Sequence, residues 1–192
     1  MAAVAPAHWG PKTHDATAGQ TVGPFFAYGT EFERMNEIAF PHSPGAIVLG
    51  GTVFQGDGAP IPDAIIEVWG ADVDGSIPRA RGSRKRDGHT FTGYGRTFTD
   101  DEGHWEFWTR APGATEPGRP AFFAVIVYAR GLPSKLHTRI YLPDDEAALA
   151  ADPFLASLDD DERASLIATR TPEGLRHDFR LQGEHETVFL AF

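Results

Sequence analysis

The sequence predicts an all-β protein, namely a β-sandwich with one or two short helices near the C-terminal third. Short apolar segments recur from residue 46 onwards, and clusters rich in Gly, Pro and Asp separate them. Helical signals are confined to two stretches beyond residue 140. Because neither an internal repeat nor a linker interrupts this pattern, we expect residues 20–192 to form one domain after an irregular N-terminal arm, residues 1–19.

The beginning of the chain carries no periodic pattern. Residues 1–19 are rich in Ala, Thr, Gly and Pro, which is typical of irregular structure. Residues 20–26 (QTVGPFF) then place Gly23 and Pro24 inside an apolar segment. Since the residue before a proline favours an extended backbone, this segment is predicted to be extended, sharply turned and laid on the rest of the domain.

Six strands are predicted in the body of the chain. They are Ala46–Gln55, Ala64–Ala71, Gly95–Thr99, His104–Thr109, Ala121–Ala129 and Lys135–Leu142. The sequence Asp100–Gly103 (DDEG) predicts a hairpin turn between the third and the fourth. The fifth is apolar nearly throughout, which predicts a central strand covered on both faces. The sixth is expected to pair with it across Gly131–Ser134.

The last third of the chain carries the helical signals. Asp144–Ala151 opens with acidic residues and continues with an Ala-rich run, and Asp159–Ala168 also begins with aspartates. Acidic side chains at a helix start favour the positive end of the helix dipole. The tail then returns to predicted strands, Leu175–Gln182 and Glu186–Phe192.

Composition and charge exclude several classes of function. The 192 residues include no cysteine, which excludes disulfides, thiolate catalysis and cysteine-ligated metals. No run approaches the ~20 apolar residues of a membrane span, and no signal peptide begins the chain, so we expect a cytoplasmic protein. The net charge of −10 argues against nucleic acid as a partner. Arg79–Arg86 (RARGSRKR) is expected to be a solvated loop, with a docking surface for an acidic partner as the alternative.

Few residues of the sequence fit a known catalytic or metal-binding pattern. There is neither a GxSxG elbow nor a phosphate-binding glycine loop. His137 and Tyr141 share one face of a predicted strand, and Tyr94 and His104 lie near each other in the sequence. Phenolate and imidazole can hold ferric iron. The eight histidines contain no HxH or HxxxH pair, however, and His137 can equally well hydrogen-bond its neighbours.

Three consecutive segments resemble the intradiol ring-cleavage dioxygenases. Gly51–Gly75 resembles their signature of two strands and a loop ending in D-x-D-G, Gly95–Gly113 the next hairpin, and Arg119–Gly131 the strand after it. Three further segments are similar to one branch of this family: QTVGPFF, LHTRIYL and QGEHETVFLAF. The resemblance covers nearly the whole chain from residue 20, and it implies the family's transthyretin-like β-sandwich.

The resemblance implies a reaction that opens a catechol ring with both atoms of O₂. The branch acts on protocatechuate, giving 3-carboxy-cis,cis-muconate in the β-ketoadipate pathway, and pairs two homologous subunits. Two Tyr and two His of the catalytic β-subunit hold a non-haem Fe(III). This chain is similar to the other, non-catalytic α-subunit. We therefore expect it to bind no metal itself and to join an iron-bearing β-subunit in a higher-order α–β hetero-oligomer.

The positions that correspond to the four iron ligands hold other residues in this chain. The position after the D-x-D-G loop is occupied by isoleucine, the one after Pro112–Gly113 by threonine, and the two after Arg119–Ala121 by phenylalanine and alanine. In order, these are Ile77, Thr115, Phe122 and Ala124. Arg139 replaces a neutral amide residue of the catalytic subunit, and we expect its charge to fill part of the space that iron would occupy.

The resemblance also implies that this chain contributes to the substrate pocket of its partner. The corresponding residues are Thr21, Gly23, Pro24 and Arg130. An arginine suits an anionic catechol that also carries a carboxylate. Gly23 lets backbone approach a ring closely, and Pro24 stiffens that wall. Without the resemblance, Arg130 reads as a solvent-facing hairpin residue and the QTVGPFF segment as a packing arm.

Two other functions remain open from the residues. The chain could be a transthyretin-like binding or scaffold protein without an enzyme partner. It could also be a self-sufficient metalloenzyme that uses Tyr94, His104, His137 or Tyr141. If it pairs with a β-subunit, its 14 Phe and 4 Trp predict an apolar interface, first around Phe25 and Phe26 and next at Phe189–Phe192.

Overall fold

A computed structural model describes residues 20–79 and 84–191. The predicted arm, residues 1–19, and residues 80–83 of the basic loop lie outside the described residues. Nine strands are described: β1 Ala46–Phe54, β2 Ile65–Gly70, β3 Tyr94–Phe98, β4 His104–Arg110, β5 Phe122–Tyr128, β6 Leu136–Tyr141, β7 Thr169–Arg170, β8 Gly174–Arg176 and β9 Phe179–Arg180. The described helices are α1 Pro24–Thr30, α2 Glu146–Ala151 and α3 Asp160–Ala164, with a 3₁₀ turn at Leu155–Ser157. None of these helices is long and apolar enough to span a membrane.

The strands form two sheets that enclose one core, which confirms the predicted sandwich. One sheet has the order β4-β1-β8-β7, with β9 also paired to β1, and the other has the order β3-β2-β5-β6. Side chains of both sheets meet between them, such as Leu49 and Phe107 from the first and Val68 and Phe123 from the second. Burial of these apolar side chains is the main stabilising contribution of the sandwich.

The fifth strand is central in its sheet, but only one of its faces is buried. Phe123, Val125 and Val127 point into the core, whereas the residues between them are half-buried. The prediction of a strand covered on both faces is therefore wrong within this chain. The apolar residues on its other side belong to the face of the β3-β2-β5-β6 sheet that points away from the core, here called the outer face.

The predicted hairpin at Asp100–Gly103 is also wrong. The turn itself forms, because the Gly103 amide donates to the Asp100 carbonyl (2.9 Å) and the Asp100 side chain accepts from the His104 amide (2.8 Å). The strands on either side then separate, since β3 pairs with β2 and β4 pairs with β1. The connection therefore crosses from one sheet to the other. The residues of a turn indicate that the chain reverses its direction, but they do not indicate with which strands the flanking segments pair.

The C-terminal elements follow the prediction in part. Both helices are present but shorter, and α3 begins with a capping box between Asp159 and Glu162. The segment 175–182 is divided into β8 and β9, which run parallel to β1. The segment 186–191 forms no strand, although Leu190 makes one bridge to His137 on β6.

The helix α1 was not predicted. Gly23 is extended, as expected for a residue before proline (φ −97°, ψ 170°), but Pro24 then begins a helix. Proline is favoured at the first helical position, where its missing N–H removes no hydrogen bond. The proline that suggested a sharp turn is thus a helix start.

One buried histidine divides the last two strands. His177 is buried between β8 and β9 beside the Phe179 ring (4.8 Å between centroids), and none of the described residues hydrogen-bonds its Nε2. Its backbone passes so close to Gly51 that a Cβ there would lie 1.7 Å from the His177 carbonyl oxygen. Burial lowers the pKa of His177 to about 4, and the Asp178 carboxylate opposes this shift only in part.

This histidine predicts a loss of stability in weak acid. The folded state favours neutral imidazole, whereas the unfolded chain takes up a proton below about pH 6.5, so protonation promotes unfolding as the pH falls towards 4. Through His177 we expect the free energy of unfolding to fall by about 2 kcal/mol between pH 8 and pH 5. Urea unfolding at pH 8 and at pH 5 measures this difference in the free energy of unfolding. A His177→Gln variant should lack this part of the loss, and an equal loss in both proteins would contradict the assignment.

Candidate functional site

The outer face carries a cavity of about 340 Å³. All four positions that the resemblance aligns with iron ligands line it, and we call it the donor-position cavity. Its lining residues are Trp69, Gly70, Ala71, Ile77, Pro78, Thr92, Gly93, Tyr94, Thr115, Phe122 and Ala124. Residues that are distant in sequence therefore meet at one place on the sheet.

The residues of this cavity do not fit ferric iron. Isoleucine, phenylalanine and alanine offer no donor atom, and Thr115 offers only a neutral hydroxyl. Tyr94 also lines the cavity, but its hydroxyl donates to Glu67 Oε1 (2.9 Å). Burial, together with the Glu67 carboxylate, raises the pKa of Tyr94 to about 12. The phenolate form that binds iron is thus disfavoured.

The alternative metal ligands are not brought together. His104 lies on β4, in the opposite sheet, where it is exposed and 3.5 Å from Asp100. His137 and Tyr141 do share a face of β6, but the Tyr141 hydroxyl accepts from Arg139 Nη1 (2.9 Å). Within residues 20–79 and 84–191, no group of three or more His, Cys, Asp or Glu is arranged to hold a metal.

Arg139 lies beside the donor-position cavity and is not among its lining residues. Its guanidinium stacks over the Phe122 ring at 4.4 Å, close to the ring of Phe154. Arg139 is also the register partner of Ala124, one of the four aligned positions, so the expectation that its charge fills part of the space of iron stays a prediction. The cation is held by aromatic faces and by the Tyr141 hydroxyl.

The N-terminal segment is hydrogen-bonded to the end of β5. The Thr21 hydroxyl accepts from the Gly131 amide (2.8 Å) and donates to the Ala129 carbonyl (3.4 Å). These two bonds flank Arg130, so the structure brings Thr21 and Arg130 side by side. A Cβ at Gly23 would meet no atom of the described chain within 4 Å, so nothing within the described chain requires glycine there.

Arg130 points towards solvent and has one ion-pair partner among the described residues. Its side chain is 54% exposed, and its Nε lies 3.1 Å from Asp63 Oδ1. Exposed ion pairs of this kind contribute little to stability. The guanidinium therefore remains available to a further anion beyond the surface of this chain.

A buried carboxylate beneath α1 was not foreseen from the sequence. Glu67 on β2 is only 6% exposed and accepts hydrogen bonds from Arg96, Tyr94 and Tyr128, which we call the Glu67 cluster. The signal was available, since Glu67 is the one charged residue in the predicted strand AIIEVWGA. A carboxylate in such a strand requires a cation from a neighbouring strand, and Arg96 is its register partner on β3.

The Glu67 cluster also holds the N-terminal segment. Arg96 Nη1 donates to the Thr30 carbonyl at the end of α1 (2.8 Å). Two aromatic contacts add to this bond, Phe26 with Tyr128 at 6.1 Å and Phe32 with Tyr94 at 6.5 Å between ring centroids. The position of α1 thus depends on a charge buried in the sheet.

The basic loop is not simply solvated. Arg86 is half-buried and donates to the carbonyls of Arg34, Met35 and Tyr94, and its guanidinium lies over the Phe32 ring. Burial lowers the pKa of Arg86. At this residue the expectation of a solvated loop is wrong, because the arginine fastens the loop to the segment that follows α1.

Comparison with known proteins defines the class and then the family. The family described as Dioxygenase (Dioxygenase_C) matches residues 22–183. Among solved structures, the dioxygenase domain of a carbohydrate-binding fusion protein from Streptomyces sp. SirexAA-E superposes with a TM-score of 0.51 at 21% identity, covering 88% of this chain and 95% of that one. The fold is therefore that of the intradiol dioxygenases.

Two relatives show to which branch of the dioxygenase family the chain belongs. The protocatechuate 3,4-dioxygenase alpha chain of Burkholderia cepacia is 37% identical over 190 residues, which is 90% of this chain and 95% of the relative. The beta chain from the same species is 33% identical over 134 residues, 64% of this chain and 54% of the relative. The chain belongs to the family of protocatechuate 3,4-dioxygenase alpha chains, which confirms the resemblance seen in the sequence.

Proposed function

We propose that this chain is the non-catalytic subunit of a protocatechuate 3,4-dioxygenase. It pairs with an iron-bearing β-subunit of the same fold and completes the substrate pocket of that subunit. The β-subunit holds the Fe(III) and cleaves protocatechuate with O₂ to 3-carboxy-cis,cis-muconate. This chain supplies Thr21, Gly23, Pro24 and Arg130 to the pocket and no iron ligand.

The residues that line the donor-position cavity are the main support for this proposal. Its four aligned positions meet on one sheet face, as a former metal site requires, yet Ile77, Phe122 and Ala124 bring no donor atom and Thr115 only a hydroxyl. A chain with this cavity needs another subunit to perform iron chemistry. The similarity to both an alpha chain and a beta chain supports a partner of related fold.

The N-terminal segment supports a role across an interface. Thr21 and Arg130 are held together at the end of β5, and no atom of the described residues lies within 4 Å of a Cβ at Gly23, which leaves room there for a group from another subunit. A permanently charged guanidinium at this edge favours the carboxylate of protocatechuate.

Exposed aromatic side chains on α1 support an apolar interface. Phe25 is 83% exposed and Tyr28 72% exposed, which is unusual for aromatic residues of a free surface. Phe26 is 42% exposed and partly engaged with Tyr128. Phe189 is half-buried against the core and Phe192 lies outside the described residues, so a contribution of the tail to the interface stays a prediction.

The alternative of a transthyretin-like scaffold without an enzyme partner is less well supported. Both curated relatives reported above are chains of one dioxygenase. Scaffolding alone also gives no reason for an exposed arginine fixed beside Thr21.

Separate and joint purification tests the proposed function. We expect the chain alone to bind no stoichiometric iron and to consume no oxygen with protocatechuate, because its donor-position cavity lacks iron ligands. Co-expressed with a β-subunit, it should co-purify in an iron-containing complex that consumes oxygen. Elemental analysis and an oxygen electrode measure both properties.

The β-subunit expressed alone is the control. It should be less active than the complex, because the pocket is completed by this chain. Stoichiometric iron in the isolated chain would overturn the proposal. Failure to co-purify with any iron-bearing chain of similar fold would favour the scaffold.

A further inference from the structure

We propose that Asp63 is a positioning residue for Arg130, whose guanidinium it directs towards the carboxylate of the substrate. This role rests on the proposed function, in which Arg130 reaches the pocket of the partner subunit. Recognition of a carboxylated catechol then depends on an ion pair that is made within this chain, at a residue that does not contact the substrate.

The sheet itself places the two side chains opposite each other. Ile65 at the start of β2 pairs with Tyr128 at the end of β5. Two residues further out on each strand, just beyond the regular ladder, Asp63 comes opposite Arg130. Directly opposite residues of antiparallel strands are close enough for their side chains to interact. Arg130 Nε accordingly donates to Asp63 Oδ1 at 3.1 Å.

The backbone of Asp63 is held in an uncommon conformation. Its φ is 55°, in the left-handed region that aspartate and asparagine enter more readily than other residues with a side chain. The buried Thr99 fixes this turn, because its hydroxyl donates to the Ile61 carbonyl and accepts from the Ala64 amide, both at 2.8 Å. The carboxylate is therefore carried by a well-fixed turn, whereas the side chain of Arg130 is long and has many rotamers.

The ion pair occupies one edge of the guanidinium. Asp63 accepts from Nε, and no described residue hydrogen-bonds Nη1 or Nη2 of Arg130. Arginine binds a carboxylate best through two parallel N–H groups. With Nε engaged by Asp63, the edge formed by Nη1 and Nη2 is the one that can receive both oxygens of a substrate carboxylate.

The main effect of this pair is on orientation. The two side chains are 54% and 31% exposed, and ion pairs at such exposure stabilise the fold little. A mobile arginine loses rotamer freedom when it binds a ligand, and avoiding this loss corresponds to roughly 2- to 12-fold in affinity. The negative charge of Asp63 has the opposite effect, because it weakens the attraction of Arg130 for an anion.

Two substitutions at Asp63 separate orientation from charge. Asp63→Gly removes the carboxylate and suits the left-handed backbone. Asp63→Asn removes the charge but keeps an oxygen that can accept from Arg130 Nε. We expect kcat/KM of the α–β complex for protocatechuate to fall by about 3- to 10-fold in Asp63→Gly and to change by no more than about twofold in Asp63→Asn. If charge alone mattered, both variants would raise kcat/KM.

Three controls show whether Asp63 acts through Arg130. Catechol, which lacks the carboxylate, should lose no more than about twofold in Asp63→Gly. Adding Asp63→Gly to Arg130→Ala should cause no further loss, because the side chain that Asp63 orients is then absent. Asp144, which accepts from Arg170 Nε at 2.9 Å, forms another exposed pair, and Asp144→Ala should leave the kinetics unchanged.

NMR of the purified full chain tests the orientation without any activity. The ¹⁵Nε–H signal of Arg130 should show a lower order parameter and faster exchange with water in Asp63→Gly than in the unsubstituted chain. The proposal is overturned by an unchanged Nε–H signal, by equal changes of kcat/KM in the two Asp63 variants, by an equal loss on catechol, or by a further loss in the double variant. Unchanged kcat/KM in Asp63→Gly, while Arg130→Ala loses activity, overturns it too. If Arg130→Ala itself has no effect, the proposed role of Arg130 fails and that of Asp63 with it.

Discussion

Replacing Glu67 with alanine is expected to lower the free energy of unfolding by about 3–5 kcal/mol, because it leaves one partner of a buried ion pair without the other. The Arg96 side chain is only 20% exposed, and its Nε–H donates to the lost carboxylate at 2.9 Å. The hydroxyls of Tyr94 and Tyr128 lose the same acceptor. Urea unfolding of the isolated chain at pH 7 measures the change.

Glu106→Ala is the matched control. Glu106 also lies in the middle of a strand, but its side chain faces solvent on β4. We expect its replacement to change stability by no more than about 0.5 kcal/mol. If the two variants lose the same stability, the Glu67 cluster is not the buried pair described here.

A second consequence of Glu67→Ala concerns α1. Arg96 also donates to the Thr30 carbonyl, so an arginine without its carboxylate no longer fixes the end of the helix. Limited proteolysis under native conditions should therefore cleave near residues 24–32 faster in Glu67→Ala than in Glu106→Ala. Equal cleavage would mean that the aromatic contacts of Phe26 and Phe32 hold the segment by themselves.

Replacing Arg130 with alanine is expected to reduce kcat/KM of the α–β complex for protocatechuate by about 10- to 150-fold. This factor corresponds to the loss of one charge-assisted contact, about 1.5–3 kcal/mol. The complex should remain assembled with its iron, since Arg130 is exposed and, among the described residues, forms an ion pair with Asp63 alone. Arg130→Lys should recover part of the loss, because an ammonium does not reproduce the guanidinium fork.

Two controls separate recognition of the substrate from a general surface effect. Arg176 forms another exposed pair with an aspartate, Asp178 (2.9 Å), and Arg176→Ala should leave the kinetics unchanged. Catechol, which lacks the carboxylate, should be affected less than protocatechuate by Arg130→Ala. Unchanged kinetics on protocatechuate would refute the role of Arg130. An equal loss on both substrates would mean that Arg130 shapes the pocket without binding the carboxylate.

Local patterns predicted the strands and the two C-terminal helices well. Alternating or continuous apolar segments located β1, β2, β5 and β6 within two residues, and aspartates marked the starts of α2 and α3. The pairing of the strands was harder to predict, because the turn at Asp100–Gly103 has the same sequence features whether its flanking strands pair with each other or separate. Whether β3 and β4 lie in the same sheet or in different sheets is decided by which of their side chains pack together in the core.

The site was predictable where a residue's role depends on chain position, and not where it depends on packing. The resemblance identified Ile77, Thr115, Phe122 and Ala124, and these meet in one cavity. The stacking of Arg139 on the Phe122 ring depends on packing and was not predicted. The burial of Glu67 was missed because a single acidic residue in a strand does not reveal which arginine will reach it.

The order of the strands in the β4-β1-β8-β7 sheet has a consequence for the synthesis of the chain. Leu49 of β1 pairs with Leu175 of β8, about 125 residues later. At a translation rate of about 5–20 residues per second, one edge of β1 waits roughly 6–25 s for its partner. During that time its unpaired N–H and C=O groups can pair with another nascent chain. The molecule is therefore most exposed to aggregation while the ribosome is still making it, and a chain that stops before residue 174 keeps this edge permanently open.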